Sequence, residues 1–152
     1  MAFGVLEEAL KVEPEKLYVQ VRYYPLIRGH VYALKSAIYA DCAAKQGKFW
    51  EFSGKLFETQ EEWEATKEPD AFFEGLALKA GLRVDALKAC VEDPATKESV
   101  LAEREGAKAL GLKMTPTFFM NEKKIEGFEA MVIEMENFLA EQKKRRSAHD
   151  AR

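Results

Sequence analysis

Gly111-Leu112-Lys113-Met114-Thr115-Pro116-Thr117-Phe118-Phe119-Met120 is the stretch that decides the fold. Gly111 stops the helix before it, because glycine takes the left-handed backbone of a helix end without steric cost. A Thr-Pro loop follows, and Thr117–Met120 has the β-branched and aromatic composition of a short strand. Asn121-Glu122-Lys123-Lys124 reads as a turn and Ile125-Glu126-Gly127 as the returning arm of a hairpin. A regular last helix closes the run. Phe128, Met131, Val132, Met135, Phe138 and Leu139 trace one apolar face, and such a stripe reads as core and not as a cofactor box.

Before this stretch the chain is mostly helical. Asp93-Pro94 supplies an N-cap and a first-turn proline for a long helix to about Leu110. Val84–Cys90 makes a short helix, and Pro69 opens another with Phe72, Phe73, Leu76 and Ala80 inward, stopped by Gly81. Phe49, Phe52 and Leu56 lie on one helical face, and Trp50, Phe49 and Phe52 are assigned to the core. Val31, Leu34, Ile38 and Cys42 form a stripe from about His30 to Lys45, with His30 as a capping or packing residue. Leu17-Tyr18-Val19-Gln20-Val21-Arg22-Tyr23 reads as a strand closed by Pro25. Phe3, Leu6 and Leu10 share a face of a first helix that ends before Pro14. Strands separated by a helical block and closed by a hairpin and a helix predict an α/β or α+β layer carrying an inserted helical bundle.

The 152 residues suit one domain with a sizeable core. Hydrophobic residues make up 47% and charged residues 32%, with a net charge of −3. That balance excludes the basic face of a general nucleic-acid binder. The one basic cluster, Lys143-Lys144-Arg145-Arg146, suits a solvated helix C-terminus better than a phosphate or membrane patch. No apolar run reaches the eighteen or so residues of a membrane span. Met1–Leu6 has no basic leader and Glu7-Glu8 interrupts it, so no signal peptide is expected and a complete chain would be cytoplasmic. Cys42 and Cys90 are too far apart for a sequence-local redox or zinc pair. They read as buried small hydrophobes or as a disulfide. A metal site with His30 or His149 lacks ligand spacing, so neither metal nor cofactor is expected.

These residues resemble the DsbA-like thiol-disulfide oxidoreductases of the thioredoxin superfamily. Val21-Arg22-Tyr23-Tyr24-Pro25-Leu26 with His30 and Ala33 is similar to their strand and its exit. Cys42-Ala43-Ala44-Lys45-Gln46-Gly47-Lys48-Phe49-Trp50-Glu51, Leu56-Phe57 and Ala89-Cys90 are similar to their helical insertion. Thr115-Pro116-Thr117-Phe118-Phe119, Asn121 and Gly127 resemble their cis-proline loop and closing hairpin. The resemblance implies one α/β domain over residues 1–152, with thioredoxin-like parts at 1–27 and 111–142 and an all-helical insertion at about 28–110. It also implies loss of a first strand and of the Cys-x-x-Cys motif, since the chain starts where that motif would just have ended.

In that family the missing first cysteine is a thiolate stabilised at a helix N-terminus. Cys42 and Cys90, placed on apolar helical faces, are expected to be inert, and no Ser-His or Cys-His pair replaces them. The expected lineage function is protein thiol-disulfide exchange, inactive as the chain stands. Alternatives are a non-catalytic peptide-binding module and a relative of the kappa-type glutathione transferases. The resemblance assigns substrate binding to Met114, Thr115 and Pro116, with Thr115 facing the peptide. It implies protein or peptide partners bearing thiols or disulfides and a periplasmic or extracytoplasmic setting. A lost central strand would leave a gap between Leu17–Tyr23 and Thr117–Met120, favouring an oligomer or a bound extended peptide. The resemblance also places Cys42 and Cys90 on neighbouring helices of the insertion. Mass spectrometry of oxidised, unreduced protein should therefore show one disulfide per chain; two alkylatable thiols after denaturation would contradict it.

Overall fold

The computed structural model describes residues 2–150, with side chains described from Gly4 to Ala148, so the side chains of Phe3 and His149 lie outside the described residues. In chain order the elements are α1 (Ala2–Val12), α2 (Ala33–Lys45), α3 (Phe49–Glu58), α4 (Gln60–Ala65), α5 (Pro69–Lys79), α6 (Val84–Glu92), α7 (Pro94–Ala109), β1 (Thr117–Met120), β2 (Lys123–Glu126) and α8 (Phe128–Asp150). They fall into two compact units, Met1–Gln20 with Leu112–Arg152, and Val21–Gly111.

The unit formed by the chain ends is built on the hairpin. β1 and β2 pair antiparallel with Thr117 opposite Glu126 and Met120 opposite Lys123. Asn121 turns the corner at φ 55, a left-handed conformation that asparagine tolerates. Alternation sends Phe118 and Met120 to one face, where they pack on Ala9, Ile125, Met131 and Met135 together with Val5, Leu6, Phe128, Val132, Phe138 and Leu139. The stripe expected of the last helix is therefore core. At the far end of α8, Arg146 pairs with the buried Glu13 just past α1, and Lys16 Nζ donates to Gln142 at 3.0 Å. Arg145 pairs with Glu141 one turn earlier, so both arginines of the basic cluster are held in ion pairs.

The second unit is helical. Phe52, Phe73 and Leu87 are wholly buried at its centre with Tyr39, Leu56, Trp63 and Leu76 around them. Asp93 caps α7 by accepting the Ala95 N–H at 2.9 Å, and Pro94 takes the first helical position, where its missing N–H costs nothing. Tyr39 donates its hydroxyl to Asp70 at 2.9 Å, and Lys35 at 2.6 Å holds the Asp70 carboxyl below its ordinary range. Gln46 closes a reciprocal pair with the Arg83 backbone, donating to the carbonyl at 3.2 Å and accepting the N–H at 3.0 Å.

Two sequence expectations are corrected. Leu17–Tyr23 is not a strand, because among the described residues no second strand lies beside it to complete a ladder; Tyr18 is 86% exposed. α2 begins at Ala33 and not near His30, leaving Val31 before the helix and 81% exposed instead of on its apolar stripe. The helix expected to carry Phe49, Phe52 and Leu56 is present as α3; it ends before Thr59, whose hydroxyl turns back onto the Lys55 carbonyl at 2.8 Å, and after that break α4 buries Trp63. Competition of that kind between a threonine hydroxyl and the helix ladder is a common cause of such breaks.

Asp93→Ala should cost about 1 kcal/mol by removing the α7 cap, and Phe73→Ala about 3–5 kcal/mol by emptying the centre of the helical unit. Urea denaturation followed by far-UV circular dichroism reads both, and equal midpoints for the two variants would refute the ranking.

Candidate functional site

Met114, Thr115 and Pro116 form an exposed loop leading into β1, and the Thr115–Pro116 peptide is cis. Two hydrogen bonds brace it. The Thr117 hydroxyl donates to the Met114 carbonyl at 2.6 Å, and the Gly127 N–H donates to the Pro116 carbonyl at 2.9 Å. Gly127 sits at φ +89, a conformation that side chains resist. Among the described residues neither the N–H nor the C=O of Thr115 has a backbone partner.

The hairpin register extends that opening along the strand. A two-residue turn is flanked by a pair that exchanges both of its N–H···O bonds. Met120 and Phe118 therefore bond to β2, in phase with the Gly127 to Pro116 bond. Thr117 and Phe119 direct their backbone groups the other way, in line with Thr115. The outer edge of β1 has no ladder partner among the described residues. Apolar surface accompanies it, with Met114 44% and Phe119 51% exposed. Charge sits on the neighbouring strand, where Lys124 pairs with Glu126 at 2.6 Å and, with a smaller contribution from Lys113, holds that carboxyl below its ordinary range.

In the helical unit Cys42 and Cys90 form a disulfide, S–S 2.02 Å and Cα–Cα 5.8 Å, joining α2 to α6. These are the only cysteines of the chain. Cys42 is wholly buried, as its apolar face predicts, but Cys90 is not: it is partly exposed, with Lys45 Nζ 3.8 Å and Thr96 Oγ1 3.6 Å from its sulfur. Sequence reasoning misses both of those neighbours. Lys45 follows Cys42 by three positions, one turn along the same helix face, which is the signal that could have raised it. His30 precedes α2, its carbonyl accepting the Ala33 N–H at 3.2 Å while its ring meets Glu64 at 2.8 Å; among the described residues no group of metal-binding side chains forms around it. No helix among them is long and apolar enough to cross a membrane.

A second set of functional-looking contacts lies at the start of the helical unit. Glu103 accepts the Tyr23 N–H at 2.7 Å and Arg22 at 3.0 Å, while Arg104 donates to the Pro25 carbonyl at 3.1 Å. Burial and the carboxylates of Asp41 and Glu103 push the Tyr23 hydroxyl pKa upward, which keeps it a neutral packing group.

A family model described as Thioredoxin matches residues 4–138. The chain is similar to the Na(+)/H(+) antiporter NhaA 1 of Mycolicibacterium vanbaalenii, 32% identical over 122 residues, which are 79% of this chain and 19% of that protein. It is also similar to the Na(+)/H(+) antiporter NhaA 1 of Mycolicibacterium gilvum, 31% identical over 126 residues, 82% of this chain and 20% of that protein. The chain thus spans about a fifth of the length of the curated relatives it matches. No solved structure gives a significant match.

Gly127→Ala should lower stability by about 1–2 kcal/mol, because the cost is conformational and open space surrounds the position. Thermal unfolding measures it. An unchanged midpoint would mean that the hairpin exit is free to relax.

Proposed function

We propose, on the premise that this chain belongs to the thioredoxin family, that it is a peptide-binding module of DsbA-like oxidoreductase descent which carries no Cys-x-x-Cys of its own. The observation that supports this is the alignment of Thr115, Thr117 and Phe119 along an edge with no ladder partner, beside exposed Met114 and Phe119. An extended segment of a partner protein added there would gain main-chain hydrogen bonds from each of those residues, and apolar contact from the two side chains. Thr115 faces the incoming peptide, and Pro116 leaves no N–H to compete for it. Partners bearing thiols or disulfides follow from the descent, which the helical unit at 21–111 also supports as the family's insertion. The chain holds no thiol outside the Cys42–Cys90 bond, so turnover at the usual family motif is not expected of it.

The relatives favour a second reading. Both are antiporters several times longer than this chain, which supports a domain that works attached to, or beside, a sodium/proton antiporter. Reading the gene on either side separates the two: a frame continuing into a series of apolar helices supports the transporter association, and stop codons on both flanks overturn it.

Binding is tested by amide chemical shifts of the labelled chain during titration with an unfolded, carboxymethylated polypeptide. Shifts should concentrate on Thr115, Thr117 and Phe119 and spare Phe118 and Met120. Shifts spread evenly over β1, or none, would overturn the strand-edge reading. Concentration-dependent shifts without added peptide would identify a second copy of the chain as the occupant.

A further inference from the structure

We propose that the Cys42–Cys90 pair is a redox site in its own right, a disulfide that accepts two electrons from a dithiol through Cys90, with Lys45 as the cation that carries the thiolate charge. It uses residues of the helical unit alone and does not depend on the strand edge.

The two sulfurs differ in each property that governs exchange. Cys42 stands in the middle of α2, wholly buried within the apolar cluster of this unit. Cys90 lies near the end of α6, partly exposed at the margin of the same cluster, so of the two residues it is the one that solvent reaches. The partly exposed cysteine is also the one provided with polar neighbours. Lys45 Nζ lies 3.8 Å and Thr96 Oγ1 3.6 Å from Cys90 Sγ, and the ammonium and hydroxyl are themselves hydrogen-bonded at 3.0 Å. Thr96 is buried in the first turn of α7, so the pair is held in place by packing as well as by charge. Cys90 touches the apolar cluster on one side, but a partly exposed cysteine with a cation at its sulfur has the environment of a reactive thiol, whereas Cys42 has apolar surroundings alone.

Other charges bear on it. Asp41 Oδ2, buried and outside hydrogen-bond geometry, stands 3.1 Å from the Lys45 ammonium and shares its field. Glu92 and Asp93 follow Cys90 in the chain and oppose an anion there. On α5, Glu74 is already paired with Lys88 of α6 at 3.0 Å. Lys45 is the cation in contact, and it is what offsets these carboxylates.

The step is ordinary thiol-disulfide exchange. A substrate thiolate attacks Cys90 Sγ, forming a new S–S bond as the Cys42–Cys90 bond breaks. Cys42 leaves with the electron pair and takes a proton from solvent, since its apolar setting disfavours the anion. The second substrate thiolate then attacks the substrate sulfur of the mixed disulfide, and Cys90 departs as a thiolate beside Lys45. The dithiol ends as a disulfide and the cysteine pair ends reduced.

The oxidised chain is treated with dithiothreitol under native conditions, quenched with iodoacetamide and mapped by mass spectrometry, with circular dichroism in parallel. The pair should reduce while the helical signal persists. In the reduced chain Cys90 should alkylate at least tenfold faster than Cys42, with a pH midpoint below the roughly 8.5 of a free cysteine. Lys45→Met should raise that midpoint by about one unit, the size of a typical environmental shift, and Lys45→Arg should restore it; should Lys45→Met fail to fold, Thr96→Val should move it in the same direction. Loss of the helical signal on reduction, equal labelling of the two cysteines, or a midpoint indifferent to Lys45 would each overturn the proposal. None of these readouts involves β1, so a failed peptide titration leaves this result standing, and the reverse.

Discussion

An extended backbone must give its N–H and C=O groups to something, and the architecture turns on how each extended segment meets that demand. Phe118 and Met120 give theirs to β2. The segment after Gln20 has no strand beside it and is served by side chains instead, Glu103 taking the Tyr23 N–H and Arg104 reaching the Pro25 carbonyl. Among the described residues Thr115, Thr117 and Phe119 have no ladder partner for theirs. Function is read from the segments whose demand is left open, because an edge of unpaired backbone groups is a template for another chain.

The helical unit answers a different constraint. Its short helices cannot hold themselves in water, since nucleation is costly and most of them run for only two or three turns. Phe52, Phe73 and Leu87 supply a shared apolar centre, and the Cys42–Cys90 bond fixes α2 to α6 covalently. Polar contacts then set the details, among them the Trp63 indole N–H, which donates to the Leu56 carbonyl at 2.8 Å and so lets a large ring be buried without an orphaned donor.

Much of this was legible from residue types alone. Pro69, Gly81, Asp93-Pro94 and Gly111 punctuate helices by backbone preferences that tertiary context did not override. The hairpin and the α8 stripe were equally plain, because period and turn chemistry agree there. The Leu17–Tyr23 error has the opposite origin: β-branched and aromatic residues favour extension, but a strand is a relation between two segments, and no single stretch of sequence contains its partner. At the candidate sites, the Met114–Pro116 loop was legible only through the family resemblance of its Thr-Pro-Thr-Phe run. The environment of Cys90 was not, since Lys45, Thr96 and Cys90 are scattered over fifty residues and meet only when α2, α6 and α7 pack. The same holds for Glu103 and Arg104, which look like ordinary members of a solvated helix face until the segment they hold is seen.

The bond between Cys42 and Cys90 closes a covalent ring through α2 to α6, spanning a sequence separation of 48. Gln46 and Arg83 repeat the closure just inside it with their paired hydrogen bonds. A peptide bond cut within this ring opens a circle and does not sever the molecule: both new ends remain tethered to the same core. The turns at Gly47, Thr59 and Gly81 are thereby places where the chain can accept scission, or a new pair of termini, and still be one connected body. A cut in the loop before β1 has no such protection, because nothing covalent spans it.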